Sequence, residues 1–234
     1  MRSHLSAERD RLSSLAASLH RECAVGRDNL GREMPAILRF CGQYQSDFMR
    51  YLEAVLPQHE HGIRCGAGCG SCCRHYPMSV EPFELMYLYS SLRGGDGLLE
   101  ILEACHSRAE LFHALMTAAA EKGGEDPDEN ALQAYFMRSR PCPFLVGKTG
   151  DCGVYAHRPV TCRMYFSETG PEFCTPEFLL TEKNRSFIVY LPDDIEELIA
   201  EVSAHYRPLE LPEALYGGLL ALNALEPCFA ERAG

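Results

Sequence analysis

Cys65-x3-Cys69-x2-Cys72-Cys73, set among Gly66, Gly68, Gly70 and Ser71, is the part of this chain whose residue types and spacing speak most directly of chemistry. Two cysteines separated by two residues give the usual chelate bite for tetrahedral zinc and for iron–sulfur clusters. Small residues between them let the backbone wrap tightly around an ion and aim thiolates inward. Backbone N–H groups in such a loop can also donate to metal-bound sulfur. A second group follows: Cys142-Pro-Phe-Leu, then Cys152-Gly-Val-Tyr155, then Arg158-Pro159-x2-Cys162-Arg163, then Cys174. Irregular loops this dense in cysteine are hard to stabilise by packing, and a bound metal would supply the missing free energy. Arg158 and Arg163 are the candidate cofactor-contacting cations, placed to offset thiolate charge and hydrogen-bond sulfur.

Eight of the 12 cysteines thus form a candidate metal-ligand set: Cys65, Cys69, Cys72, Cys73, Cys142, Cys152, Cys162 and Cys174. The other four, Cys23, Cys41, Cys105 and Cys228, read as ordinary small apolar residues, with Cys41 and Cys105 on apolar helix faces. Structural disulfides are disfavoured because the N-terminal residues, with Arg2, Glu8, Arg9, Asp10 and Arg11, hold no apolar secretory core. The chain therefore reads as cytoplasmic. His59, His61 and His75 flank the first motif and are weaker ligand candidates; His157 reads as a neighbour of the site. Tyr155 and Tyr165 read as packing residues.

The two motifs together resemble the YkgJ-type cysteine-cluster family, whose members are described as zinc- or iron-chelating. The same cluster occurs in the flagellin lysine N-methylase, where an iron–sulfur cluster is implied. The resemblance covers about Cys65 to Cys174 and implies metal binding more firmly than any reaction. Zinc sites usually show paired Cys-x2-Cys knuckles. Only Cys69 and Cys72 stand at that spacing here, which favours an iron–sulfur cluster over zinc. Eight thiolates make two four-cysteine sites, or one site plus spare thiols; adjacent Cys72 and Cys73, pointing apart as neighbours in an extended chain often do, could serve two different sites.

Three functions remain open on these residues. The first is a structural or electron-transfer metal centre acting beside a protein or redox partner. The second is a protein- or peptide-modifying enzyme, with Arg158, Arg163 and Tyr155 as participants. The third is metal storage or delivery. No Gly-x-Gly-x-x-Gly, Gly-x4-Gly-Lys-Ser/Thr, His-Glu-x2-His or Gly-x-Ser-x-Gly sequence accompanies the cysteines.

The elements that must position the cysteines are mostly helices. The chain has 234 residues, enough for a real hydrophobic core, with 46% hydrophobic and 24% charged residues. Its formal net charge of −11 argues against a general nucleic-acid binder. No apolar run reaches the length of a membrane span. Helical periodicity is expected over Leu5–Leu30, Pro35–Leu56, Glu81–Leu92, Asp96–Lys122, Asp128–Arg138, Asp193–His205 and Pro212–Leu225. Pro35 would lie in a first turn and Ser79 would cap the third of these. Glu125–Glu129 reads as a solvated linker. Residues 141–176, rich in proline and glycine, read as loops and turns, and Phe187–Leu191 as a strand. The expected fold is mainly α, helices packed around a loop-rich, cysteine-coordinated metal core. Residues 1–60 form an N-terminal helical segment, 61–180 the cysteine core with inserted helices, and 181–234 a C-terminal helical segment, in one compact domain overall.

Overall fold

The computed structural model describes residues 10, 14, 25–58, 62–66, 68–123, 125–147 and 150–229. Most of the helix expected over Leu5–Leu30 lies outside these residues, as do Cys23, His59 and His61. Among the described residues the fold is mainly α, with six longer helices and two small sheets. The helices are α1 (Leu30–Val55), α2 (Pro82–Leu92), α3 (Leu98–Lys122), α4 (Pro127–Met137), α5 (Asp193–Ala204) and α6 (Leu215–Ala224). Helix α1 buries Leu30, Met34, Ile37, Phe40, Cys41, Tyr44, Phe48 and Leu52, the i, i+3, i+4, i+7 stripe that its sequence shows. That stripe packs on α2; α2 packs in turn on α6, and α6 on α3, which also carries α4. Phe83 of α2 sits at the junction, edge-on to Phe40 at 5.0 Å and to Tyr44 at 5.5 Å. No helix among the described residues is long and apolar enough to cross a membrane.

Several boundaries differ from the sequence reading, each for a tertiary reason. Helix α1 begins at Leu30, so Pro35 lies inside it and not in its first turn. The burial of Leu30 and Met34 outweighs the one helical hydrogen bond to the Gly31 carbonyl that proline cannot make. Ser79 does not cap α2; it takes a positive φ of 54°, and Glu81 is the N-cap, without a side-chain cap bond. The chain there is extended instead. Met78 pairs with Ala214, the Val80 amide donates to the Glu213 carbonyl (3.2 Å), and the Leu215 amide donates to the Pro77 carbonyl (3.0 Å). The same pairing delays α6 to Leu215. The acidic stretch 125–129 is solvated but is not only a linker: Asp126 caps α4 by accepting from the Glu129 amide at 2.9 Å.

Residues 141–176 are mostly loops and 3-10 turns, as expected, yet they contribute to two short antiparallel pairs. Strand β1 (Leu145–Val146) pairs with β2 (Asp151–Cys152). Strand β3 (Tyr165–Ser167), which the sequence did not announce, pairs with β4 (Ser186–Ile188), with Phe166 opposite Phe187. The strand expected over Phe187–Leu191 is thus shorter and starts one residue earlier.

Truncating Phe83 to Ala empties the junction of α1 and α2. The expected loss is about 3–5 kcal/mol of unfolding free energy, read as a lower denaturant midpoint at unchanged slope.

Candidate metal centre

Each candidate cysteine is set in place by a different local device. Ahead of Cys65, the Arg64 amide donates to the Ser167 carbonyl (2.9 Å), and the Ser167 amide donates to Cys65 Sγ (3.2 Å). This ties the first ligand of the loop to β3 and supplies an N–H···S hydrogen bond. The Cys69 amide closes a turn on the Gly66 carbonyl, and the Cys73 amide closes another on Gly70, which leads into a 3-10 turn over Cys72–Arg74. Arg74 clamps that turn, donating to the Gly70 carbonyl and to Ser139 Oγ.

The second motif is brought to the first by backbone. The Cys142 amide donates to the Cys73 carbonyl at 2.8 Å. Arg108 of α3 fixes the preceding residue, its Nε and Nη2 donating to the Pro141 carbonyl at 3.0 and 2.6 Å. Cys152 sits in β2, paired across to Leu145, and the Gly153 amide donates to the Phe144 carbonyl (2.7 Å). At the tip of this hairpin, Gly150 has φ +74° and its α-carbon lies so close to the first loop that an added Cβ would stand 2.3 Å from the Gly68 oxygen. Glycine is required there twice over, by conformation and by space.

Cys162 lies in the 3-10 helix Val160–Arg163. The start of that helix is held by a carboxylate that sequence reading missed: the Val160 amide donates to Glu84 Oε1 at 2.7 Å. Glu84 is 1% exposed, and burial pushes its carboxyl up to about 8. The signal available in the sequence was a single acid inside the apolar run Phe83–Leu88. Cys174 follows the turn Pro171–Phe173, with its Sγ 3.6 Å from Ser186 Oγ of β4, and Ser71 of the first loop donates to the Pro171 carbonyl (3.3 Å).

Two cavities gather seven of the eight thiols, and Cys65, Cys69 and Cys72 line both. Cys65, Cys69, Cys72 and Cys174 line one cavity of about 200 Å3, whose other walls include His75, Phe136, Tyr165 and Phe187. The field of Cys69, Cys72 and Cys174 adds to the burial that raises Cys65. Burial and then Cys142 push Cys162 up, with Cys72 adding, and burial first, with Cys152 adding, raises Cys142. Cys73 is tied to Cys142 through the backbone. Cys72 and Cys73, expected to point apart as in an extended chain, lie instead in a 3-10 turn with their thiols hydrogen-bonded, and that bond is the largest cause of the rise at Cys72, followed by burial. The second cavity, about 490 Å3, is lined by Cys65, Cys69, Cys72, Cys73, Cys152 and Cys162.

The donor set suits a thiolate-bound metal. None of the described cysteines is in a disulfide. A cation bound among Cys65, Cys72, Cys142 and Cys162 would ionise these raised thiols outright. As the side chains stand, no three His, Cys, Asp or Glu among the described residues are gathered closely enough to hold an ion. Ligands close on a metal when it binds. The fold brings the eight residues to one region.

Arg158 and Arg163 both line the second cavity, but they differ. Arg158 lies over the Tyr155 ring at 4.2 Å, and its buried Nε has no hydrogen-bond partner. Arg163 is 6% exposed, with Nε on the Arg158 carbonyl and Nη2 on Gln45 Oε1 and the Tyr155 carbonyl. Arg158 therefore keeps an unused donor at Nε, while those two nitrogens of Arg163 staple the loop. His75 is stacked between Phe136 (4.1 Å) and Tyr165 (5.4 Å), and burial lowers its pKa to about 4. His157 leans on Tyr87 at 4.8 Å. Cys41 and Cys105 are fully buried, as expected, and Cys228 is half-buried.

Residues 64–177 match the family model described as a "putative zinc- or iron-chelating domain", which begins and ends around the eight cysteines. That segment, close to half of the chain, matches this cysteine-cluster family, which supports metal binding through its cysteines. No curated protein and no solved structure matches the chain significantly.

Two glycines of the site separate steric need from composition. Gly150→Ala is expected to cost about 1–3 kcal/mol and to lower the metal content of the purified protein. Gly66→Ala meets nothing within 4 Å and should stay within about 0.5 kcal/mol of the parent. Equal thermal midpoints and metal contents in the two variants would contradict this account of the hairpin contact.

Proposed function

We propose that the eight cysteines bind iron–sulfur clusters, one to the group Cys65, Cys69, Cys72 and Cys174 and one to the group Cys73, Cys142, Cys152 and Cys162, in a protein that serves a partner through a structural or electron-transfer role in the reducing cytoplasm. The observation that carries this reading is the gathering of free thiols on two cavities, Cys65, Cys69, Cys72 and Cys174 on one and Cys65, Cys69, Cys72, Cys73, Cys152 and Cys162 on the other. Four thiolates are the usual complement of one cluster. A bound cluster supplies one-electron transfer; the chain's own residues tune and hold it. The Ser167 amide lowers the electron density on the Cys65 sulfur by donating to it. The free Nε of Arg158 supplies a donor and positive charge at the junction of the groups. The unit 61–180 would carry the clusters, and the flanking helical segments would brace it.

The irregular ligand spacing supports a cluster over zinc, because a larger cofactor reaches scattered thiolates. Anaerobic purification followed by iron, zinc and acid-labile sulfide analysis tests it. Iron with matching sulfide and a brown colour is expected; zinc without sulfide overturns the reading. Cys69→Ser and Cys162→Ser each remove a ligand from one group only. Each is expected to lose about half of the bound metal, since a site short of a ligand no longer gains its binding free energy. Unchanged metal in both variants would sink the ligand assignment.

A further inference from the structure

A third cavity, about 520 Å3, lies on the far side of His75 and Tyr165 from the thiol-lined one. We propose that it is a binding site for an organic cation, a protonated amine on an alkyl or aryl stem. Its size is that of a small-molecule site, and the reading stands whichever metal the cysteines hold.

The charge on its walls is all of one sign. Glu81 and Glu196 contribute carboxylates, Glu84 a carboxyl that burial holds mostly protonated near neutral pH, and no Lys or Arg lines the cavity. Glu81 and Glu84 are both raised by burial, the expected consequence of carboxylates held away from water without a cationic neighbour. Neither is idle structurally. Glu84 accepts from the Val160 amide, and Glu81 Oε2 accepts from the Ser203 hydroxyl. Those bonds fix the carboxylates but leave the charge of the cavity unanswered. Glu196 stands exposed at the rim, where it draws a cation in.

A second observation is independent of the acids. Tyr44 is 2% exposed and lines this cavity, yet its hydroxyl makes no hydrogen bond among the described residues. Its ring is locked by Phe40 and Phe83, so the hydroxyl cannot swing away to find a partner. The carboxylates of Glu84, Glu81 and Glu196 all act on it. That hydroxyl faces the cavity, where a ligand N–H or water can meet it. The rings of Tyr76 and Tyr165 complete the wall, and aromatic faces beside carboxylates favour an ammonium over a neutral or anionic group. Apolar Leu132, Met164 and Ile188 give its stem a surface to cover. The bound amine would lie one side-chain layer, His75 and Tyr165, from the thiols of Cys65 and Cys72.

Isothermal titration of the full-length, metal-loaded protein tests the site, with n-butylammonium and benzyltrimethylammonium as cations, and n-butanol and butyrate as neutral and anionic controls. The cations are expected to bind, with the controls at least about tenfold weaker. Glu196→Gln, at the rim and away from the core, is expected to weaken cation binding several-fold with thermal midpoint and metal content unchanged. Tyr44→Phe is expected to weaken n-butylammonium, which has N–H groups, more than benzyltrimethylammonium, which has none. Absence of cation binding at millimolar concentration, equal binding of n-butanol, or full affinity in Glu196→Gln would each overturn the proposal.

Discussion

The bond from the Cys142 amide to the Cys73 carbonyl joins two motifs that stand far apart in sequence, and the rest of the centre is arranged so that this bond can form. Two backbones must meet face to face at that point. Helix α3 contributes Arg108, which grips the Pro141 carbonyl from outside. Gly68 and Gly150 allow a second approach that a methyl group would block. On the remaining side, Ser71 reaches the Pro171 carbonyl and draws in the loop of Cys174. Helices thus act here chiefly as anchors for loops, and the loops carry the chemistry.

Beneath the loops lies a small buried polar network with a similar purpose. Gln45 of α1 accepts from Arg163, Arg163 also holds the Tyr155 carbonyl, and Glu84 of α2 holds the Val160 amide. Burying Arg163 and Glu84 is costly in itself and is tolerated because each is hydrogen-bonded. The result is that the segment from Tyr155 to Arg163, which has little apolar content of its own, is fixed to both helices of the core. Cys162 inherits its position from that network, and Arg158 is left with a free donor beside it.

The sequence made the helices legible because their apolar residues recur at the helical period, as in Ile37, Phe40, Tyr44 and Phe48. Its errors fell where partners far along the chain decide. Ser79 and Pro212 looked like helix starts, but the Met78–Ala214 bridge holds both segments extended. Strand β3 was hidden because three residues between proline-rich turns carry no period of their own, and only Phe187 opposite Phe166 reveals it. The cysteine motifs that the family model matches were legible through their spacing and their small neighbours. Glu84, Gln45, Arg108 and the unbonded Tyr44 hydroxyl were not, since their roles exist only once α1, α2 and α3 have come together around the loops.

X-ray absorption at the metal edge of the anaerobically purified protein tests the central claim most directly, because it reports the atoms bound to the metal. The account predicts a first shell made of sulfur alone, about four atoms per metal at about 2.3 Å. A shell in which nitrogen or oxygen supplies half of the neighbours would contradict it.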